Sequence, residues 1–118
     1  GKSKMVKVKK QRVDLSKDDK ARLAHIGKTN HIGNSLSAAC TYSIHRQAKN
    51  LAKPFSCLID LDELVNNGDA KLQPWGFDCD REVRKSIEAI QKRHRLAYLS
   101  SAVRLAIRLQ AREDGFKD

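Results

Sequence analysis

The chain repeats itself. Residues 14–49 (DLSKDDKARLAHIGKTNHIGNSLSAACTYSIHRQAK) align with residues 78–112 (DCDREVRKSIEAIQKRHRLAYLSSAVRLAIRLQAR) across one gap near residue 35. Asp14 falls on Asp78, Ile26 on Ile90 and Lys28 on Lys92. Beyond the gap, 36–49 falls on 99–112, with Leu36, Ser37, Ala39, Ile44, Gln47 and Ala48 on identical residues. Such a repeat marks two copies of one supersecondary unit that cannot bury its apolar face alone. Whatever fold forms must therefore pair two strand–helix–helix units. With 118 residues, one domain (1–118) is expected.

Periodicity places the elements. In copy one (8–49), Val13 and Leu15 share one side of an extended strand, while Lys10, Arg12 and Asp14 share the other. Val6 and Val8 have the opposite parity, so either the strand begins after Val8 or a bulge intervenes. Ser16 is an N-cap residue with Asp18 and Asp19 in the first turn, and Leu23 and Ile26 follow at helical spacing. That helix should stop near 28–30, where turn residues begin, and Ser37 is expected to cap a second helix burying Cys40, Ile44 and Ala48. In copy two (75–112), Phe77 and Cys79 take the places of Val13 and Leu15, and Asp80 caps a helix with apolar Val83, Ile87 and Ile90. The connection Lys92-Arg93-His94-Arg95 is basic; Ser100 is expected to cap a last helix that buries Val103, Ile107 and one of Leu105 or Leu109. The tail from Glu113 is polar and expected to fray. Between the copies, 50–74 includes PFSCLIDLDELV, too apolar for a free linker, and reads as a packed crossover with a short capped helix.

Charge narrows the partner. Twenty-four Lys and Arg against fourteen Asp and Glu give a net charge of +10 and a pI near 9.8. A polyanion is the expected ligand, nucleic acid ahead of an anionic membrane surface. No apolar run reaches membrane-span length, and the basic start GKSKMVKVKK lacks the apolar stretch of a signal peptide. Cys40, Cys57 and Cys79 lack CxxC spacing and read as buried thiols of a reducing, cytoplasmic setting. His25, His31, His45 and His94 are scattered, so no metal site is expected. No glycine-rich phosphate loop, nucleophile elbow or paired-acid arrangement stands out, so neither catalytic activity nor a cofactor is expected.

Strand, helix, helix, with a serine at the second helix in each copy, resembles the ribbon–helix–helix family, the MetJ/Arc superfamily of DNA-binding proteins. The resemblance covers about 8–49 and 75–112 and is closest to its tandem single-chain members, the TraY-type conjugation regulators. It implies a mainly α fold with a short two-stranded antiparallel ribbon: a tandem pseudodimer in one chain. In that family the ribbon enters the major groove of double-stranded DNA, alternate strand side chains read base edges, and the second helices' N-termini hold phosphates. Carried onto this sequence, the base-reading residues are Lys10, Arg12 and Asp14 on one strand and Pro74, Gly76 and Asp78 on the other. Pro74 and Gly76 depart from the pattern. They offer no side-chain donor and disfavour regular pairing, so readout should be lopsided, or a shifted register should bring in Gln73 or Trp75. The phosphate contacts would be Lys7, Lys9, Ser37, Ser100, Lys92, Arg93 and Arg95.

Each assignment has a plainer rival. Asp14 and Asp78 could position the turn into their helices; Lys92, Arg93 and Arg95 could be a solvated loop; Trp75 and Phe77 read as core before base-stacking residues. The resemblance implies a bacterial, DNA-associated transcription regulator of a plasmid or other mobile element, with self-association of pseudodimers on adjacent sites. A relaxosome accessory protein at a transfer origin would use the same surface. A basic module for RNA or protein is disfavoured by the 5% aromatic content. The second copy and short tail disfavour an antitoxin.

Overall fold

The computed structural model describes residues 9–51 and 71–117, with Lys9 described by its backbone alone. Two strands and four helices follow in the order β1 (Lys9–Ser16), α1 (Lys17–Thr29), α2 (Leu36–Leu51), β2 (Leu72–Cys79), α3 (Arg81–Arg93) and α4 (Leu99–Glu113). The described residues are thus mainly helical with one two-stranded antiparallel sheet. β2 begins three residues ahead of the expected Trp75, and α2 runs two past Lys49. The crossover therefore shrinks at both ends. Its interior, with Cys57, lies outside the described residues, as do Val6, Lys7 and Val8.

Local chemistry fixes both first helices. Ser16 accepts from the Asp19 N–H at 3.1 Å while the Asp19 carboxylate accepts from the Ser16 N–H at 3.0 Å, a closed capping box. Asp80 accepts from the Val83 N–H at 2.9 Å. Both helices also end alike. The Asn30 and His94 N–H groups donate to Ile26 and Ile90, and the Ile32 and Leu96 N–H groups reach back to Gly27 and Gln91. His31 and Arg95, aligned in the repeat, stand between them at φ 57° and 53°, the left-handed conformation such an ending requires.

The two copies part at the gap. Copy one has an additional connecting residue, and there Gly33 adopts φ 102°. Its carbonyl lies 2.8 Å from where a Cβ on Gly27 would be. Only glycine fits that close approach. Gly27→Ala is expected to destabilise the chain by about 1–3 kcal/mol, read as a lowered urea midpoint.

Ladder pairing sets Lys10 opposite Asp78, Arg12 opposite Gly76, Val13 opposite Trp75 and Asp14 opposite Pro74. The alignment that puts Asp14 on Asp78 puts Arg12 on Gly76 and Lys10 on Pro74. Exchanging the aligned segments therefore returns the same ladder, centred on Arg12 and Gly76. The helices behave likewise. Gln47 and Gln110, aligned in the repeat and both buried, join α2 to α4 through a 2.8 Å amide hydrogen bond.

The core lies beneath the sheet. Val13, Leu15, Phe77 and Cys79 point inward onto Leu23, Ile26, Cys40, Ile44, Val83, Ile87, Ile90, Val103 and Ile107. Burying each large aliphatic side chain contributes about 1.5–3 kcal/mol. Trp75 and Phe77 stack with ring centroids 5.7 Å apart, Phe77 buried and Trp75 half-buried, as core residues. Burial pushes the Cys40 thiol up, with Cys79 adding to it, and Cys79 is raised by burial too. Both are buried free thiols.

The last helix buries Val103, Leu105, Ile107 and Leu109 as expected, and more besides. Every residue of 101–111 is buried, including Arg104, Arg108 and Gln110, because α4 packs against α1, α2, α3 and β1. Against expectation, the tail does not fray through its described residues. The Phe116 N–H donates to Ala111, and its ring meets His25 edge-on at 5.5 Å and lies under the Arg22 guanidinium at 5.5 Å.

Buried charge links the halves. Asp19 is fully buried and accepts from Arg108 through two hydrogen bonds of 2.9 and 3.0 Å and from Arg22 at 2.9 Å. Burial pushes its carboxyl up, but Arg108, with Ser16, outweighs this and holds it below the ordinary carboxylate range. Nearby Arg104 is lowered by its own burial and by the charge of Arg108.

Candidate nucleic-acid interface

Alternation in the ribbon sends Lys10, Arg12, Asp14, Gly76 and Asp78 to one exposed face, together with Pro74. The inward residues Val13, Leu15, Phe77 and Cys79 hold it there, since slipping either strand by one residue would turn its inward pair to water. Of the alternatives the sequence leaves open, the ladder has the one that turns Gly76 outward, and no shift brings in Gln73 or Trp75. Trp75 pairs with Val13, and Gln73 pairs with Leu15.

Pro74 and Gly76 do not break the ladder, which runs unbroken from Leu72 to Cys79. The Asp14 N–H points sideways to Ser100 Oγ at 2.9 Å, so Asp14 and Pro74 form a pair whose main-chain groups face away from each other. Proline's missing N–H removes no ladder bond at such a position. A Cβ at Gly76 would make ordinary van der Waals contact, 3.9 Å from the Gln11 carbonyl oxygen and 4.0 Å from Lys10 Cδ.

Ser37 and Ser100 are not helix caps. Ser35 caps α2, accepting from the Ala38 N–H at 3.1 Å, and Tyr98, at the N-cap position of α4, makes no side-chain capping bond. Both Ser35 and Ser37 are good caps by type, and the connecting loop decides between them. Each expected cap instead reaches the other copy's strand. Ser37 Oγ accepts from the Asp78 N–H at 2.8 Å, as Ser100 does from Asp14. Thr41 Oγ1 donates to the Asp78 carbonyl at 3.3 Å, and aligned Arg104 to the Asp14 carbonyl at 2.9 Å. The N-terminal turns of α2 and α4 are thereby fastened to opposite ends of the ribbon's face. Thr41 and Arg104 escaped the sequence reading, though their alignment in the repeat was a signal.

Electrostatically the face is uneven. Lys10 Nζ lies 3.1 Å from Asp78 Oδ1, both side chains more than half exposed. Arg12 has glycine across from it. Lys10, Arg12, Pro74, Trp75 and Gly76 line a shallow depression of about 390 Å3. Asp14 and Asp78 do not cap the following helices, because Ser16 and Asp80 do. Lys92, Arg93 and Arg95 are exposed at the α3–α4 connection. Lys9 is held in β1 by its backbone, and Lys7 lies outside the described residues.

Among the described residues, no cluster of three or more His, Cys, Asp or Glu could hold a metal ion. No described helix is long and apolar enough to cross a membrane. Searches against protein-family models, curated proteins and solved structures find no match to the chain.

Proposed function

We propose that the chain is a tandem ribbon–helix–helix pseudodimer that binds double-stranded DNA through the outward face of its ribbon, as a sequence-preferring regulator of transcription. The observation that carries this reading is the exposed face bearing Lys10, Arg12, Asp14 and Asp78, with the first turns of α2 and α4 tied to its two ends. A two-stranded ribbon fits the major groove, where Lys and Arg donate to guanine acceptors and Asp accepts from cytosine N4. Helix N-termini at both ends carry partial positive charge toward the flanking phosphates. The net charge of +10 supplies the sequence-independent attraction. A plasmid or other mobile element is the genetic setting that the family resemblance favours.

Anisotropy titrations of a labelled DNA duplex against single-stranded RNA of equal length, at several salt concentrations, test the reading. The duplex should bind more tightly, with log affinity falling linearly as log salt rises. Lys9→Ala should weaken every duplex and flatten that slope by about one unit. Preference for RNA, or affinity indifferent to salt, would overturn the proposal.

A further inference from the structure

The ladder is symmetric about its centre, but the side chains on it are not. Arg12 pairs with Gly76 there, so a guanidinium stands on one side of the centre and bare backbone on the other. Lys10 and Asp78 engage each other at 3.1 Å at one end of the face, and Asp14 stands opposite Pro74, which has no side-chain donor, at the other. Arg12 is thus the one long cation of the described face without a side chain across the ladder from it, and it borders the 390 Å3 depression beside Gly76.

A ribbon built from two identical strands must make every contact twice and so reads a palindrome. This ribbon presents arginine once and glycine in the matching place. We infer that the protein reads a non-palindromic duplex in a single orientation, with Arg12 as the specificity-determining residue for a guanine near the centre of the site. The inference rests on the DNA-binding reading above. Its chemistry is the bidentate donation of a guanidinium to guanine O6 and N7.

The test begins with the full chain and a random duplex pool. The recovered sequences should share an asymmetric motif with one required guanine near its middle. On that duplex Arg12→Ala should bind roughly ten- to a hundredfold more weakly, with little change on generic duplex. Replacing the central G·C pair with A·T should cost the native chain a similar factor and cost Arg12→Ala almost nothing further. Arg12 is exposed, and circular dichroism should show the variant folded.

Gly76→Arg supplies a gain-of-contact arm. A Cβ at exposed Gly76 meets only ordinary van der Waals contacts, so the position admits a side chain. Selection with this variant should return a more symmetric motif, with a second guanine on the opposite strand. A palindromic motif for the native chain, or equal losses for Arg12→Ala on selected and generic duplex, would overturn this inference while leaving DNA binding in place. Failure to bind any duplex would overturn the functional reading together with it.

Discussion

A fragment ending at Leu51 is expected to be unfolded as a monomer. Within it β1 loses β2, its ladder partner among the described residues. The Asp14 N–H loses Ser100, the Asp14 carbonyl loses Arg104, Asp19 loses Arg108 and buried Gln47 loses Gln110. Val13 and Leu15, buried in the whole protein, would face water on a lone strand. An isolated strand and two short helices of this size are marginal in water. The one favourable escape is pairing with a second copy, in which β1 meets β1 about Arg12 and α2 meets α2 about Gln47. Circular dichroism combined with sedimentation should therefore find helix only where a dimer is present, with helicity rising with concentration. A folded, monomeric fragment would contradict the shared-core architecture.

Asp19→Asn is expected to be the most damaging conservative substitution at a side chain. It preserves size but removes the negative charge around which Arg108 and Arg22 are buried. Breaking a buried pair by removing one partner costs roughly 3–5 kcal/mol, because the remaining charge stays buried and uncompensated. Against a typical domain stability of about 5–15 kcal/mol that is a large fraction. The pH dependence has a definite sign. The Asp19 carboxyl titrates below its ordinary range in the folded chain, so the stability it contributes is fully present above that range. It is lost as pH falls below about 4, through the folded value, where the unfolded chain already binds the proton. Urea midpoints at neutral and acid pH should show the native chain losing stability on acidification, and Asp19→Asn losing less because it has no carboxyl at position 19 to protonate. Equal midpoints for the two at neutral pH would contradict the role given to Asp19.

How much of this was legible follows from the range of each signal. The ribbon's parity rests on nearest neighbours: Val13 and Leu15 against Lys10, Arg12 and Asp14 settle which face is buried, and Phe77 and Cys79 repeat the decision. Ser16 and Asp80 were readable as caps for the same reason, their chemistry lying within three residues. Ser37 was misread because cap propensity is a property of residue type, and Ser35 two positions earlier satisfies it equally. Pro74 was misjudged because its effect depends on whether its N–H side faces the partner strand, which only the register reveals.

Asp19 shows the limit most clearly. An acid in a first turn ordinarily faces solvent and helps the helix dipole, as exposed Asp18 does. Asp19 takes the place that apolar Val83 occupies in the other copy, and the partner that makes its burial tolerable lies 89 residues away. No local pattern contains that pairing. Among the residues of the ribbon's outward face, position was readable and state was not. Exposure of Lys10 and Asp78 followed from alternation, while their mutual ion pair required the ladder.

The central claim is that the ribbon's outward face meets duplex DNA. Mapping amide chemical shifts of the 15N-labelled full chain, on titration with the tightest duplex from a random pool, tests it most directly. The account predicts that the largest shifts fall on residues 10–14 and 76–78 and on the first turns of α2 and α4, with the exposed face of α1 unmoved. Shifts centred away from the ribbon, or no shifts at saturating duplex, would contradict it.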